Sequence, residues 1–411
     1  MRHYLTIALA LSCAAGFAGA ADWPRYRGPN TDGVAESVAL DKLSLTPVWK
    51  VPIGDAFGQI AVVDKKAFVM AERGADEFCI ALDTATGKEI WSTRIDKTKK
   101  DGNGNGPRST PAIDGKFVYV LGSFLKLYCL DIETGKEVWK HDLVAENGAR
   151  VLNWASASSP LVVDELVLVT GGGAGKGISA YKKDTGALAW AKTNEAYTYA
   201  TPTLATIKGK RQAICFMESG LVSVDPKTGD VLWTFAHPKS TATAASPVVG
   251  GKDGDIVYCS AGYNVGAAAC QVSETGGKWT AKPLWRTANA NMNLWSTPVY
   301  KDGYIYGLFA HNDPNGPLAC VDIATGAVKW TKPGFGSQGG LILTGDKLLV
   351  QTPKGDIVLV SASSDAFKEL GRVAVLKAKD WTAPTLANGM VYARNSTGGA
   401  ATEIVCLKLG N

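Results

Sequence analysis

The chain has 411 residues, among them 46 glycines and 12 tryptophans, and its formal net charge is +5. This composition, with frequent Val, Thr and Tyr, favours many short strands and tight turns over helices. The charge is small and spread along the chain, without a basic stripe or an acidic tail, so we expect neither a nucleic-acid partner nor a disordered region.

The first twenty residues have the pattern of a secretory signal. Arg2 precedes an apolar stretch from Leu5 to Ala15, and Ala18-Gly19-Ala20 forms a small-residue cleavage site. The apolar stretch is too short for a membrane span, and no later stretch is long enough for a transmembrane segment. Cys13 lacks the preceding residue order for lipid attachment, so we expect no lipid anchor. The sequence predicts cleavage after about Ala20 and a periplasmic or secreted protein.

Residues 21–45 are rich in turn-forming and aromatic residues, as in Trp23-Pro-Arg-Tyr-Arg-Gly-Pro-Asn30. We predict an extended N-terminal segment that lies over the body of the protein. The stretch around Val48-Trp49 is typical of the last strand of a repeat whose beginning is missing. Residues 46–411 are predicted to form a single domain.

Two landmarks recur through that domain. The first, Asp-x-x-Thr-Gly-x-x-x-Trp, ends at Trp91, Trp139, Trp233 and Trp330, and a copy without the Asp ends at Trp190. The second is Ser/Thr-Pro before an apolar strand, at Pro111, Pro160, Pro202, Pro247 and Pro298, with the variant Ala383-Pro384. With degenerate copies near Gln59 and Gly340, the sequence contains eight units of roughly 45 residues, the period of four-stranded propeller blades.

The two ends of the chain predict how the ring closes. The final unit, Trp381 to Leu409, has three strand-like runs and stops before a Trp strand. The isolated strand at Trp49 supplies the missing fourth strand, and closing a ring in this way leaves no free sheet edge. We predict an all-β fold, an eight-bladed β-propeller of four-stranded antiparallel blades closed by N- and C-terminal strands. We expect a monomer.

Seven cysteines remain after the signal, and they lie within apolar, strand-like runs. Equivalent positions in successive units are a whole repeat apart, so these cysteines are not placed to pair with one another. We predict small buried residues and no disulfide framework.

The units ending at Trp91, Trp139, Trp233 and Trp330 resemble the pyrroloquinoline quinone (PQQ)-like repeat. This repeat occurs in quinoprotein dehydrogenases and in the lipoprotein of the outer-membrane β-barrel assembly machinery. The resemblance implies a propeller in which each Trp docks against the turn of a neighbouring blade. For an enzyme it further implies an acidic quinone held with a divalent cation by carboxylate and amide ligands, a catalytic Asp, a Trp floor and, in many members, two adjacent cysteines. This chain has no adjacent cysteine pair.

The irregular sequence is concentrated in the loops of one face, where binding normally occurs. The residue three before each inner-strand proline is predicted at the mouth of the central channel; these residues are Arg108, Ala157, Tyr199, Ala244, Trp295, Ser337 by alignment, and Trp381, with Trp154 and Asn293 close by. An Arg among aromatic faces could hold a planar or anionic ligand. Alternatively, the aromatic side chains plug a narrow axis.

Two functions remain open from the sequence. The first is a non-catalytic binding or scaffold module that holds a protein, peptide or glycan on the loop face. The alternative is a PQQ-dependent dehydrogenase that oxidises an alcohol or sugar, with PQQ and calcium over Trp295, Trp381, Tyr199 and Arg108. No metal site is predicted from the histidines, which are scattered along the chain.

Overall fold

The computed structural model describes residues 21–288, 290–377, 379–397 and 402–410. In these ranges 33 strands form eight sheets, and the one helix, α1 (Leu143–Asn147), has five residues. Seven sheets have four strands, and the eighth has an additional two-residue strand. The predicted all-β, eight-bladed propeller is confirmed. The predicted signal peptide and Cys13 lie outside the described residues.

We number the blades from residue 61 onward. Two strands precede blade 1: β1 (Val34–Ala35) and β2 (Leu45–Pro52). Blade 1 contains β3 (Ala61–Val63), β4 (Lys66–Arg73), β5 (Asp76–Asp83) and β6 (Glu89–Lys97), and blade 2 contains β7 (Ala112–Asp114), β8 (Phe117–Leu121), β9 (Lys126–Asp131) and β10 (Glu137–Asp142). Blade 3 contains β11 (Leu161–Val163), β12 (Leu166–Thr170), β13 (Ile178–Lys182) and β14 (Leu188–Lys192). Blade 4 contains β15 (Thr203–Ile207), β16 (Lys210–Met217), β17 (Gly220–Val224) and β18 (Val231–Ala236).

The remaining blades follow in the same order. Blade 5 contains β19 (Val248–Gly250), β20 (Ile256–Ala261), β21 (Gly266–Thr275) and β22 (Lys278–Thr287). Blade 6 contains β23 (Val299–Lys301), β24 (Tyr304–Leu308), β25 (Leu318–Asp322) and β26 (Val328–Lys332). Blade 7 contains β27 (Gly340–Thr344), β28 (Lys347–Gln351), β29 (Asp356–Ser361) and β30 (Glu369–Ala374). Blade 8 contains β31 (Thr385–Ala387), β32 (Met390–Arg394) and β33 (Glu403–Leu409).

Blade 8 is completed by β2, which pairs antiparallel with β33 from Leu45 opposite Leu409 to Pro52 opposite Glu403. The strand containing Trp49 is therefore the outer strand of the last blade, as predicted. Because the blade takes strands from both ends of the chain, the ring is closed by hydrogen bonds between sequence positions more than 350 residues apart. Closure of this kind removes the sheet edges between the termini.

The hydrophobic core lies between neighbouring blades. The middle strands are almost wholly buried, as β8 and β17 show along their full lengths. The outer strands alternate between buried and exposed side chains, and in β10 Trp139 is the buried residue. This division follows from packing sheet against sheet around the ring, which leaves only the outermost strand of each blade beside solvent.

The repeated Trp connects each blade to the next. The indole N–H of Trp91 donates to the carbonyl of Ile132 at 3.0 Å, and that of Trp139 donates to Lys183 at 3.1 Å, each in the turn of the following blade. Gly135, with φ +68°, lies beneath the Trp91 ring, where an added Cβ would come within 2.5 Å of a ring carbon. The predicted docking of Trp against a neighbouring turn is therefore observed, and it explains why Gly follows Thr in the repeat.

Blade 5 departs from this pattern. Its third and fourth strands form a long hairpin of ten residues each in place of the short Thr-Gly turn. Trp233 of blade 4 consequently donates to the Gln212 side-chain oxygen within its own blade. Trp285 takes the repeat position in blade 5 and donates to the Ile323 carbonyl at 2.8 Å. The sequence pattern missed Trp285 because no Asp-x-x-Thr-Gly precedes it.

All seven cysteines in the described ranges are buried and unpaired, as predicted. Cys129 lies opposite Trp139, and Cys406 lies opposite Trp49, on adjacent strands. A small side chain at this position leaves space for the indole ring of the neighbouring strand. Burial raises the pKa of the Cys406 thiol to about 11, so the thiol is neutral at ordinary pH.

Candidate functional site

The Ser/Thr-Pro landmark forms hydrogen bonds from blade to blade around part of the central channel. The backbone N–H of Gln59 donates to the Thr110 hydroxyl at 2.9 Å, and the N–H of Thr110 donates to the Ser159 hydroxyl at 2.9 Å. The N–H of Ser159 in turn donates to the Thr201 hydroxyl at 3.0 Å. Each of these three hydroxyls thus accepts the N–H of the equivalent residue in the preceding blade. The landmark therefore joins the inner ends of the blades and lines the channel with hydroxyl groups.

One end of the channel is covered by the N-terminal segment. Trp23 exchanges backbone hydrogen bonds with Val62, and β1 pairs in parallel with β27 of blade 7. Between these anchors, Tyr26 and Arg27 reach the channel axis. Arg27 is 5% exposed, and its guanidinium donates to backbone carbonyls, which belong to Thr31, Asp32, Thr297 and Pro298. Burial lowers the pKa of Arg27, and nearby Asp32 opposes this effect.

The covered channel encloses a cavity of about 190 Å³. Its wall is built mainly from the inner ends of the blades, its floor includes Tyr26 and Arg27, and its mouth lies among the loops near Asn103 and Asn312. A single water needs roughly 10–15 Å³ on this scale, so the space is sufficient for a small ligand or an inserted side chain. We call the face with this mouth the loop face, and the face with the Thr-Gly turns the turn face.

The structure brings five of the six predicted site residues to this cavity: Arg108, Trp154, Tyr199, Trp295 and Trp381. The rings of Trp295 and Trp381 lie 4.6 Å apart between centroids, and those of Trp154 and Tyr199 lie 5.9 Å apart. The Tyr199 hydroxyl also accepts the backbone N–H of Trp154 at 3.2 Å. Aromatic faces therefore form two sides of the mouth. Their role in binding a ligand remains a prediction.

Asn293 is not brought to the cavity wall. Its side chain is fully buried, donates to the Leu308 carbonyl at 2.8 Å and accepts the Tyr258 hydroxyl at 2.6 Å. Ser337, aligned with the ring position in blade 7, is also turned away and accepts the N–H of Asp313. Both side chains instead hold loops in place. In blade 7 the wall is formed by backbone around Gly339 and Gly340, because that unit lacks the proline that fixes the alignment elsewhere.

Arg108 lies at the mouth with its guanidinium already engaged. It forms an ion pair with Asp101 at 2.8 Å, donates to the carbonyls of Gly104 and Gly106, and lies 4.8 Å over the Phe57 ring. Burial lowers the pKa of Arg108, while Asp101 acts in the opposite direction. Arg108 thus organises the loop 98–108 and presents only part of its hydrogen-bonding capacity to a ligand.

Sequence reasoning missed Phe57 and Lys379. The Phe57 ring lies 5.7 Å from that of Trp381, and the Lys379 ammonium lies 3.3 Å from the Trp381 ring centroid. Phe57 was detectable: Gln59 is equivalent to Thr110, so the ring position in that unit is two residues earlier. Lys379 follows no repeat pattern, and only the folded loop places it over Trp381.

The cavity wall does not fit a quinone held with a divalent cation. Its lining contains no Asp, Glu, His or Cys. In the part of the chain that the structure describes, no group of three such residues is placed to hold a metal ion. Cations of the calcium type need several oxygen ligands, normally including carboxylates. We therefore derive no reaction through such a cofactor.

No helix within the described ranges is both long and apolar enough to span a membrane.

A family model and curated relatives both match this chain to the same family of proteins. A family model for the outer membrane protein assembly factor BamB matches residues 75–306 and 275–368. BamB of Burkholderia pseudomallei (strain K96243) is 26% identical over 379 residues, which cover 87% of each chain.

Solved structures share the fold at lower identity. Quinohemoprotein alcohol dehydrogenase from Comamonas testosteroni has a TM-score of 0.70 at 15% identity and covers 94% of this chain and 80% of its own. BamB from Moraxella catarrhalis has a TM-score of 0.61 at 15% identity, and the match covers 89% of this chain and 100% of the BamB chain. At these identities the structural likeness shows the propeller fold alone.

Proposed function

The chain belongs to the PQQ-like β-propeller family of the outer membrane protein assembly factor BamB, and we propose that it is an exported, non-catalytic binding or scaffold module. Its partner is a protein, which binds to the loop face. The observation that carries the proposal is the mouth itself, where irregular loops bring aromatic side chains and Arg108 around a cavity whose lining has no carboxylate. Trp, Tyr and Arg are the side chains that dominate protein-binding surfaces.

A pair of photoreactive substitutions tests which face binds. One replaces Asn153, exposed beside Trp154 on the loop face, and its matched control replaces Thr134, exposed on the turn face. We expect covalent adducts with defined envelope proteins from position 153 and none from position 134. Equal adducts from both positions, or none from 153 in the exported fraction, would reject a loop-face binding module.

The alternative, a PQQ-dependent alcohol or sugar dehydrogenase, makes a separate prediction. Protein incubated with PQQ and calcium should show no bound quinone absorption band and no dye-linked oxidation of alcohols or sugars, since the cavity wall supplies no carboxylate. A bound band together with turnover that Trp295→Ala abolishes would overturn the non-catalytic proposal.

The export part of the proposal concerns the new N-terminus. The backbone nitrogen of Ala21 lies 2.8 Å from a carboxylate oxygen of Glu36. Cleavage after Ala20 would convert this nitrogen into an α-ammonium group and strengthen the contact. Mass spectrometry of the mature protein should therefore give a chain that begins at Ala21; a mature chain that retains Met1 would contradict export.

A further inference from the structure

One quadrant of the loop face carries a group of lysines, which we call the basic quadrant: Lys99, Lys100, Lys354, Lys377 and Lys379. They lie in the loops after blades 1 and 7 and in the turn between β28 and β29. Among the described residues, none of them forms an ion pair within 4.0 Å. Lys100, Lys354 and Lys377 are exposed.

The described acidic groups near the basic quadrant form no ion pair with its lysines, and Asp380, which adjoins Lys379 in the chain, is fully buried. Asp101 is engaged with Arg108 at 2.8 Å. Glu77 is fully buried and accepts hydrogen bonds from Ser123. Glu72 is within electrostatic reach of Lys100 without a direct ion pair. The quadrant therefore keeps an excess of positive charge.

The basic quadrant is continuous with the cavity mouth. The Lys379 ammonium donates to the Asn103 carbonyl and covers one face of Trp381, and the other side of Trp381 meets Trp295. This contact ties the loop after blade 7 to the loop after blade 1. Lysines and aromatic side chains thus form one surface around the entrance.

The two charged side chains on the lining of the cavity behind this surface are cationic, although both guanidinium groups already donate to protein acceptors. Arg27 and Arg108 are both on its lining, which contains no carboxylate. The hydroxyls of Thr110 and Ser159 accept backbone N–H groups, and neither donates its own hydrogen within the described ranges. A low-dielectric cleft lined by one sign of charge concentrates the field and favours anions.

We propose that this surface binds an acidic peptide segment of a protein partner, whose carboxylates pair with the basic quadrant while one side chain enters the cavity. The inference rests on the proposed function, since it takes the partner to be a protein. A single small anion inside the cavity could not reach lysines spread over two loops and a turn. An extended peptide can contact both the lysines and the aromatic mouth.

Two variants of equal net charge test the electrostatic part. The probe is a ten-residue peptide that carries one phenylalanine among glutamates, and its binding is measured by the change in the protein's tryptophan fluorescence. A peptide with lysines in place of the glutamates is the control of opposite charge. Lys100→Glu/Lys377→Glu should weaken binding of the acidic peptide by about tenfold. Lys88→Glu/Lys136→Glu, on the turn face, should change it by less than about twofold, because these distant charges are screened.

The electrostatic part of the proposal is overturned by no binding of the acidic peptide, by equal loss in both double variants, or by stronger binding of the lysine peptide. Glutarate serves as the small-anion probe. Complete competition by glutarate at the peptide's own concentration would assign the cavity to a small anion instead. If loop-face adducts form while acidic peptides do not bind, this inference fails and the proposed function stands. Without adducts, both fail.

A cavity-filling variant tests the inserted side chain. Ala244 lines the cavity, and Ala244→Phe should weaken binding of the phenylalanine-containing peptide by about tenfold. The same substitution should change binding of a peptide with glycine in place of phenylalanine by less than about twofold. An unchanged thermal melt shows that the variant is folded. Equal effects on both peptides would contradict insertion.

Discussion

Asp380 precedes the cavity-lining residue Trp381 in the chain, and its carboxyl group is fully buried without being on the cavity lining. No hydrogen bond of normal geometry from the described residues reaches either of its oxygens, and the side-chain oxygen of Gln351 also lacks a donor. Burial raises the pKa of Asp380 to about 8, against a smaller opposing effect of Gln351. The carboxyl group is therefore mostly neutral at pH 7.

This pKa predicts the pH dependence of stability. An unfolded Asp has a pKa of about 3.9, so between roughly pH 4 and pH 8 the folded protein holds a proton that the unfolded chain has lost. The free energy of unfolding must then fall as pH rises, by up to about 1.4 kcal/mol per pH unit from this group. Asp380→Asn removes this dependence. In urea unfolding, the free energy of unfolding of the variant minus that of the natural protein should increase from pH 4 to pH 8.

Glu77, whose pKa burial raises to about 7, adds a similar slope to both proteins and cancels in the difference. A difference between variant and natural protein that stays constant from pH 4 to pH 8 would show that Asp380 is ionised in the folded state.

At the residue scale, the sequence predicted the site only in part. Arg108, Trp295 and Trp381 were found because the repeat fixes the place where each inner strand begins. Asn293 was misplaced because sequence distance from that position does not determine which way a loop side chain turns. Long-range folding brings Arg27 to the cavity and Lys379 to the Trp381 ring at its mouth, and no local pattern encodes either position.

At the scale of the strand and turn, the contact between Trp91 and Gly135 can be isolated from backbone effects. Gly135→Ala places a methyl group 2.5 Å from the indole in a left-handed backbone position, whereas Gly115 has φ +55° and no atom within 4 Å of its added Cβ. We expect Gly135→Ala to lower the free energy of unfolding by about 3 kcal/mol and Gly115→Ala by about 1 kcal/mol, which is the backbone cost alone. Equal losses in urea unfolding would mean that the indole moves aside freely.

The elements themselves were largely predictable, because each unit repeats the same turn chemistry. Asp131 shows why: its carboxylate accepts the backbone N–H groups of Glu133 and Thr134 and the Thr134 hydroxyl, which closes the turn before Gly135. The long hairpin of blade 5 was not predictable from the repeat. It dispenses with this turn, and only the position of Trp285 preserves the blade contact.

At the scale of the whole molecule, closure by β2 predicts the effect of N-terminal truncation. A chain without residues 21–52 loses the partner strand of β33 and leaves that strand as an open edge, a template for association. We expect oligomers or aggregates in size-exclusion chromatography with light scattering. A chain without residues 21–33 retains β2 and should stay monomeric, although its channel is uncovered. A folded, monomeric protein without residues 21–52 would contradict closure by β2.

The central claim, that the irregular face binds and the regular face does not, is tested most directly by amide hydrogen exchange. The protein is compared alone and in complex with the partner captured from position 153. We predict added protection in loops 98–108, 150–157 and 379–382 and unchanged exchange in the turns after Asp83, Asp131 and Asp322. Protection confined to those turns, or to the outer strands, would contradict the account.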